Sequence, residues 1–336
     1  MKKYTILKYT LQLVGLFIII SCTEPYALQS NTYESALVIE AIITNEVKHQ
    51  EVKLTRTFKL GERESENEVG AIVKIYGDDG SVYDFEEIDG MYKSIVEFQA
   101  IPNISYNLTV ETTNGNHYAS SLQQLTTANL LESVTATNLV NNGVRGVEIA
   151  VNSYDPANTS KYYKYTYEET YKVIVPRWSP NKLTFNSDNS ITISLRDDPQ
   201  TRVCYTTNKS NEIIITSTAE LSEDRVSNFP VRFIPQSDYS IANRYSILVK
   251  QYIQNFESYN YYKILKNFST SGNILSQIQP GFIYGNIQCT NNPNEKVIGI
   301  FDVASVSEKR IFFNYEEIFP GQLSPDYLDT CEIKEY

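Results

Sequence analysis

Short runs in which hydrophobic and polar residues alternate follow one another along the chain from Ala36 onward. Between residues 36 and 127 they form seven extended segments separated by turn residues. Alternation with a period of two is typical of β-strands that bury one face. Asp79-Gly80 and Asn114-Gly115 lie between such segments and favour hairpin turns, because glycine and asparagine tolerate a positive φ. The pattern predicts an immunoglobulin-like or transthyretin-like sandwich over residues 36–127.

A second β-rich region, residues 128–319, contains one long predicted strand with an aromatic face. In the run 162–175, one face carries Tyr163, Tyr165 and Tyr167, whereas the other carries mainly charged and hydroxyl side chains. Such a face usually packs against an opposing sheet, but tyrosines also stack on sugars and peptides. Core packing and ligand or partner contact therefore both stay open for the three tyrosines.

Two stretches of this region depart from the strand pattern. Residues 176–202 contain three prolines and many Asn, Asp and Ser residues, which predicts an extended loop or a loosely paired insertion. Long loops often bind partners, so Trp178, the only tryptophan, is a further candidate contact residue. Apolar residues at helical spacing predict one helix over 256–269, capped by Asn255. The last residues, 320–336, are polar and predicted to be irregular.

The N-terminus has the layout of an export signal. A basic start precedes an apolar run, Leu11–Ile20, and then Ser21 and Cys22. The run has about half of the ~20 residues that a membrane-spanning helix needs. Its end resembles the lipobox of bacterial lipoproteins, in which acyl chains are attached to the cysteine; the alternative is an ordinary secretory signal with a cysteine at this place by chance. We expect a signal peptide over 1–21, lipidation of Cys22 and a tether over 22–35.

The remaining cysteines allow one disulfide. With Cys22 assigned to lipid, Cys204, Cys289 and Cys331 are left, and an oxidising compartment permits three alternative pairings with one leftover thiol. The three are too far apart in the sequence for a metal-binding pair of the C-x₂-C type. We predict no metal site and no cofactor.

Charge excludes one class of partner. The chain has 29 basic and 40 acidic side chains, and removal of residues 1–21 would leave 26 basic side chains and a net charge near −14. Nucleic-acid binding needs clustered positive charge, so nucleic acid is excluded as a partner. The 26 tyrosines suit half-buried pleated surfaces and agree with a mainly β fold.

The sequence contains no recognisable catalytic motif of the common hydrolase, zinc-protease or nucleotide-binding types. His49 and His117 are predicted at turns, without a nucleophile nearby in the sequence. Glu168-Glu169 and Asp197-Asp198 are adjacent carboxylates, but neighbouring strand residues point to opposite faces and do not share one site. We interpret these carboxylates as surface charge and predict no catalytic residue.

Several segments resemble, in their order and spacing, an uncharacterised lipoprotein family of the Bacteroidota known as domain of unknown function 4249. They are CTEP (22–25), ALVIEAIITNE (36–46), VKLTRT (52–57), VGAIVKIYGDDG (69–80), YYKYTYEETYKV (162–173), SILVKQY (246–252), YGNIQ (284–288) and VIGIFDVASVSEKRIFF (297–313). The resemblance implies an outer-membrane lipoprotein, often encoded beside a TonB-dependent receptor, with no known activity. Family members often have further cysteines near the C-terminus, whereas here only Cys331 stands there.

Three functional hypotheses follow. The leading one is a non-enzymatic accessory or binding partner of a TonB-dependent receptor in nutrient uptake, anchored on the periplasmic or the cell-surface face. The second is a surface enzyme that acts on glycans or peptides, with carboxylates brought together from distant strands. The third is a glycan-binding module that uses Tyr163, Tyr165, Tyr167 or Trp178, and it requires these side chains to be accessible.

Overall fold

The computed structural model describes residues 35–58, 65–176, 178–270 and 283–327. The predicted signal peptide, Cys22, most of the predicted tether and Cys331 lie outside these residues. The helices are α1 (Phe256–Thr270) and α2 (Tyr315–Ile318). The strands are β1 (Leu37–Thr44), β2 (Glu51–Arg56), β3 (Ile72–Gly77), β4 (Val82–Ile88), β5 (Met91–Ser94), β6 (Ser105–Glu111), β7 (His117–Ser120), β8 (Gln123–Gln124), β9 (Leu131–Asn141), β10 (Val144–Asp155), β11 (Tyr162–Ile174), β12 (Asn181–Phe185), β13 (Ile191–Leu195), β14 (Val203–Lys209), β15 (Ile214–Ser217), β16 (Asp224–Pro235), β17 (Arg244–Gln254), β18 (Ile287–Cys289) and β19 (Val297–Asn314). The prediction of a mainly β fold is confirmed.

The first unit is a sheet that curls around its own core. Its strands follow the order β19-β1-β2-β5-β4-β3-β6-β7-β18, and β8 pairs with β6. In β1, Leu37, Ile39 and Ile43 point inward at a spacing of two, as the alternating pattern requires. They join one cluster with Tyr106 of β6 and Phe301 of β19. The likeness to an immunoglobulin or transthyretin sandwich stays a prediction.

The second unit consists of two facing sheets. The sheet β16-β10-β9 packs against β15, β11, β17 and the second half of β19, and exposed β14 extends the larger sheet beside β11. The core between them contains Ile149 and Val151 of β10, Tyr163 of β11, and Ile247 of β17. Both layers therefore bury one face of alternating apolar residues.

Strand β19 belongs to both units. Val297–Ala304 pairs in parallel with β1, whereas Ser305–Asn314 pairs antiparallel with β17. One strand of 18 residues thus contributes to both cores. The first unit includes β18 and half of β19, and so extends beyond the stretch 36–127 that the hydrophobic pattern delimits.

Side chains complete the hydrogen bonding where β19 changes partner. The Ser305 amide donates to Thr126 Oγ1 at 2.9 Å, and the Val306 amide donates to Asn45 Oδ1 at 2.8 Å. Ser305 Oγ in turn donates to the Thr127 carbonyl at 2.6 Å. A buried backbone amide without a partner costs free energy comparable to a lost hydrogen bond. The segments that contain Asn45, Thr126 and Thr127 are therefore hydrogen-bonded to the middle of β19, where the two units meet.

The segment before β18 crosses β19 at very close range. A Cβ atom on Gly285 would lie 1.6 Å from the carbonyl oxygen of Gly299. The next side chain, Asn286, makes two hydrogen bonds of 2.8 Å with the backbone N–H and C=O of Phe301, as a paired strand would. This contact explains physically why glycine and asparagine stand together in YGNIQ.

Helix α1 begins and ends within one residue of the predicted range 256–269, which confirms that prediction. Asn255 Oδ1 accepts a hydrogen bond of 2.8 Å from the Ser258 amide, as expected for an N-cap. Near this first turn, Asp302 of β19 is fully buried and accepts from Gln254 Nε2 at 3.1 Å. Burial raises the pKa of Asp302, and the hydrogen bond from Gln254 only partly opposes this shift.

One of the carboxylates interpreted as surface charge is in fact buried. Glu169 lies on the aromatic face of β11 and is buried between the sheets. It accepts a hydrogen bond of 2.6 Å from Tyr245 Oη, and Arg232 Nε lies 3.2 Å away. The interpretation was wrong for Glu169 because a paired charge occupies a core position, whereas adjacent Glu168 points to the outer face.

We expect Gly285→Ala to destabilise the protein by about 3 kcal/mol or more, since the added methyl meets a backbone oxygen that has no room to move. Gly143→Ala is the control for steric contact, because a Cβ atom on Gly143 would meet no other atom within 4 Å, although Gly143 has a positive φ of 81° that strains an alanine. The control should lose only about 1 kcal/mol. Urea unfolding measures both, and equal losses would contradict the close crossing.

The turn after β10 generates a pH prediction. The Asp155 carboxylate accepts from the amides of Ala157, Thr159 and Ser160 at 2.9, 2.8 and 2.9 Å. Burial alone would raise the pKa of Asp155, but the hydrogen bonds from Thr159 and Ser160 outweigh it and lower the pKa to about 2, from 3.8. Ionised Asp155 therefore stabilises the fold above pH 3.8, and this contribution disappears as the pH falls towards 2.

We expect Asp155→Asn to cost about 2 kcal/mol at pH 7, since one pKa unit corresponds to about 1.4 kcal/mol. The difference from the wild type should narrow between about pH 4 and pH 2. Urea unfolding of both proteins at several pH values measures it. A difference that stays constant down to the lowest pH would show that the carboxylate charge has no role in this turn.

Candidate functional site

The three candidate tyrosines of β11 are core residues. Tyr163 and Tyr165 are fully buried, and Tyr167 is almost so. Tyr163 donates to Asp224 Oδ1 at 2.7 Å, and Tyr165 donates to Gln251 Oε1 at 3.2 Å. Their rings face the opposing sheet, which corrects their assignment as ligand or partner contacts. The structure has the other arrangement that was left open for this face, namely packing in the core.

The stretch 176–202 contains a β-hairpin. Strands β12 and β13 pair with each other from Asn181↔Leu195 to Phe185↔Ile191 and form a separate two-stranded sheet. Trp178 precedes the hairpin, is half-buried, and donates from Nε1 to Thr201 Oγ1 at 2.9 Å. Of the two predicted forms of this insertion, the structure has the paired one, and Trp178 contacts Thr201 on its C-terminal side.

One face of this hairpin is apolar and uncovered among the residues that the structure describes. We call it the hairpin face, and it consists of Leu183, Phe185, Ile191, Ile193 and Leu195. Phe185 is 77% exposed and Leu195 is 73% exposed. The opposite face carries Lys182, Thr184, Thr192 and Ser194. The period-two pattern that normally marks a core face here marks an exposed one.

The tip of the hairpin is polar and well ordered by hydrogen bonds. The Asn186 amide donates to the Ser190 carbonyl at 2.9 Å, and Asn189 adopts a positive φ of 62°. Ser190 donates to Asp188 Oδ1 from both its hydroxyl and its amide, and these bonds lower the pKa of Asp188. The tip therefore carries a negative charge at neutral pH.

A second candidate surface lies between α1 and β15. We call it the aromatic groove; its cavity volume is about 490 Å³, and its lining includes Tyr162, Glu220, Leu221, Phe256, Tyr259 and Lys263. The ring centroids of Tyr162 and Tyr259 lie 4.9 Å apart, and those of Tyr162 and Phe256 lie 5.6 Å apart. Tyr162 reaches the groove because it stands on the outer face of β11, one residue before buried Tyr163.

The sequence analysis expected contacts in the insertion 176–202 through Trp178, but it missed the apolar hairpin face and the aromatic groove. The hairpin had a readable signal, namely the alternation L-T-F and I-T-I-S-L on either side of an Asn- and Asp-rich turn. The aromatic groove had only a weak one, because its rings come from a strand and a helix that lie 94 residues apart at Tyr162 and Phe256.

Another groove, on the outer face of the second unit, has charged side chains in its lining that pair with neighbouring residues. It includes Glu168 and Lys250. Lys250 Nζ lies 2.9 Å from Glu308 and 3.4 Å from Glu46, and Arg310 lies 3.5 Å from Glu168. These cross-strand ion pairs give Glu168 and Lys250 partners within the fold.

A family model described as "Domain of unknown function (DUF4249)" matches residues 23–310. The chain belongs to this family. No curated protein matches it. Among solved structures, trypsin-activated alpha-2-macroglobulin from Escherichia coli is similar over 67% of this chain and 15% of that chain, with 9% identity and a TM-score of 0.19. The chain thus spans a small part of that protein, and a likeness at this level defines neither fold nor function.

The DUF4249 match covers the hairpin face and the aromatic groove. Within the described residues, no three His, Cys, Asp or Glu side chains group as a metal site would require. In the same part of the chain, no helix is long and apolar enough to cross a membrane.

Two of the candidate disulfide cysteines form no disulfide within the residues that the structure describes. Cys204 of β14 is exposed, and Cys289 of β18 is buried, with Sγ 3.2 Å from Asn291 Oδ1. They lie on different units and are not joined to each other. Cys331 lies outside the described residues, so the pairing of either cysteine with it stays open.

We expect a maleimide reagent to label Cys204 rapidly in the native protein and to label Cys289 only after unfolding, because a thiolate must be accessible to react. Peptide mapping by mass spectrometry measures this. The variant Cys331→Ser is the control. If Cys204 in the native protein is labelled only in that variant or after reduction, it is bonded to Cys331 and the free-thiol assignment fails.

Proposed function

We propose that this protein is an outer-membrane lipoprotein, anchored through Cys22, that acts as an accessory of a TonB-dependent receptor and docks on it through the hairpin face. The observation that carries the proposal is the five-residue apolar surface on a hairpin that pairs with none of the other strands in the described part of the chain. An isolated two-stranded hairpin is only marginally stable in water. A partner that covers the hairpin face would stabilise it.

The size of the hairpin face supports a protein contact. Burying one large aliphatic or aromatic side chain contributes about 1.5–3 kcal/mol. The hairpin face holds five such side chains, all more than half exposed. Large uncovered patches on proteins mark interaction sites. The free outer edges of β12 and β13 also offer backbone groups to a partner strand.

The polar tip favours a protein over the lipid bilayer as the occupant. Insertion tip-first would bring ionised Asp188 into the hydrocarbon region, at a cost of a few kcal/mol. A receptor surface with an apolar patch leaves the tip in water. The hairpin therefore suits side-on docking to a protein.

The anchor is compatible with this contact. Fourteen residues, 23–36, separate Cys22 from β1. A chain of that length spans at most about 50 Å when fully extended. The folded body would thus stay within reach of a receptor in the same membrane, and tethering would raise the effective concentration of one for the other.

Affinity purification from the native host tests the partner. The tagged wild-type protein, solubilised in mild detergent, should co-purify with a TonB-dependent receptor identified by mass spectrometry. A photo-crosslinking residue at Leu183 should form a covalent adduct with that receptor. The variant Leu183→Ser/Phe185→Ser/Ile193→Ser should lower recovery by about tenfold or more, because it removes apolar contacts.

The matched control carries Thr184→Ala and Thr192→Ala on the opposite face of the hairpin, and it should recover the receptor as the wild type does. Urea unfolding verifies that both variants keep the wild-type midpoint. Absence of any outer-membrane receptor from the wild-type sample, under several growth conditions, would refute the proposed partnership.

The anchor has its own test. Cys22→Ser should abolish labelling with radioactive palmitate and remove the protein from the outer-membrane fraction, because the acyl chains need the thiol. Cys204→Ser is the control and should leave both unchanged. Palmitate labelling of Cys22→Ser at the wild-type level would contradict lipid anchoring at this residue.

A further inference from the structure

The aromatic groove has no part in either hydrophobic core. Tyr162, Phe256 and Tyr259 belong to neither buried cluster. Phe256 is 63% exposed at the first residue of α1, where Asp, Glu and other polar residues are the favoured ones. Folding therefore does not account for a phenylalanine at this position, and a ligand that covers its ring would.

Charged side chains border the rings on both sides. Glu220 follows β15, and Lys263 lies on α1 two turns after Phe256; both are exposed. Among the residues that the structure describes, neither side chain forms an ion pair. The groove thus offers an acceptor on one wall, a donor on the other and ring faces between them.

This combination matches the chemistry of a sugar. A pyranose ring has an apolar face of C–H groups that stacks on an aromatic ring, and a rim of hydroxyls that both donate and accept hydrogen bonds. Glu220 accepts from such hydroxyls and Lys263 donates to them. A purely apolar ligand would leave both charges desolvated without partners, which is unfavourable.

The volume of the aromatic groove and the charge around it restrict the class of ligand that the groove can bind. A volume of about 490 Å³ falls within the ~300–1,000 Å³ that small-molecule sites have. The groove contains one charge of each sign, and the whole chain has a net charge of −11, which repels polyanions. Uncharged sugars are therefore favoured over acidic ones.

We propose that the aromatic groove binds a neutral saccharide, with a sugar ring against Phe256 and Tyr259 and its hydroxyls bonded to Glu220 and Lys263. This site is separate from the hairpin face. Its occupancy does not depend on a receptor, so the two proposals stand or fall independently.

Binding is tested with the purified, full-length lipidated protein in a detergent without a sugar headgroup. The probes are soluble neutral glycans: xylan, mannan, dextran, mixed-linkage β-glucan and their hexasaccharides. Affinity electrophoresis selects a binder, and calorimetry gives its Kd. We expect at least one neutral glycan to bind, and Phe256→Ala and Tyr259→Ala to weaken it by about tenfold or more.

Three further variants make the test specific. Phe256→Tyr keeps a ring and should retain binding, whereas Glu220→Gln should weaken it. Tyr205→Ala removes an exposed ring outside the groove and should leave the Kd unchanged. Urea unfolding verifies that each variant is folded.

The proposal is overturned if no glycan of the panel binds. It is overturned equally if binding is the same in Phe256→Ala, or if a digest of casein peptides binds at the groove while the glycans do not. In the last case the groove is a peptide site.

Discussion

The structure depends on how the hydrogen bonds of β19 are satisfied where it changes partner. Up to Ala304 the strand follows β1, and from Ser305 it follows β17. Such a change inside a buried strand would leave backbone groups without partners. Hydrogen bonds to the side chains of Thr126 and Asn45 fill the gap. The segments that contain Thr126 and Asn45 are thereby bonded to β19, and the two cores share this one strand.

Because the two cores share β19, the strand that supports the candidate surfaces is fixed in position. β11 lies next to β17, which lies next to β19. β11 carries Tyr162 of the aromatic groove, and it also pairs with β14, the strand that follows the hairpin. Its inner face is fixed by Tyr163 and Tyr165 in the core and by Glu169 between Arg232 and Tyr245. A ligand or partner would therefore meet surfaces whose supporting strand is already ordered, which lowers the entropy cost of binding.

Local hydrophobic patterns predicted the secondary-structure elements. They did not predict the candidate sites, because burial and contacts depend on residues that are far apart in the sequence. Period-two alternation gave the mainly β class, and helical spacing gave α1 almost to the residue, because both signals are local. The same alternation did not reveal that the face of Tyr163 is buried while that of Leu183 is exposed, since burial depends on the opposing sheet. The role of Gly285 and Asn286 was equally hidden, because their contacts, Gly299 and Phe301, lie on another strand. Lipidation of Cys22 and the receptor partnership stay predictions that depend on the N-terminal motif and the family resemblance.

The most direct measurement of the shared strand is native-state hydrogen exchange of the β19 amides, read residue by residue. We expect the amides of residues 298–304 and 307–313 that are bonded to β1 and β17 to open with a common free energy, because one strand cannot leave one core without disturbing the other. Thr126→Val should lower that free energy in both halves. If the second half opened at a much lower free energy than the first, with Thr126→Val affecting only one of them, the two units would be independent and β19 would be a mere connector.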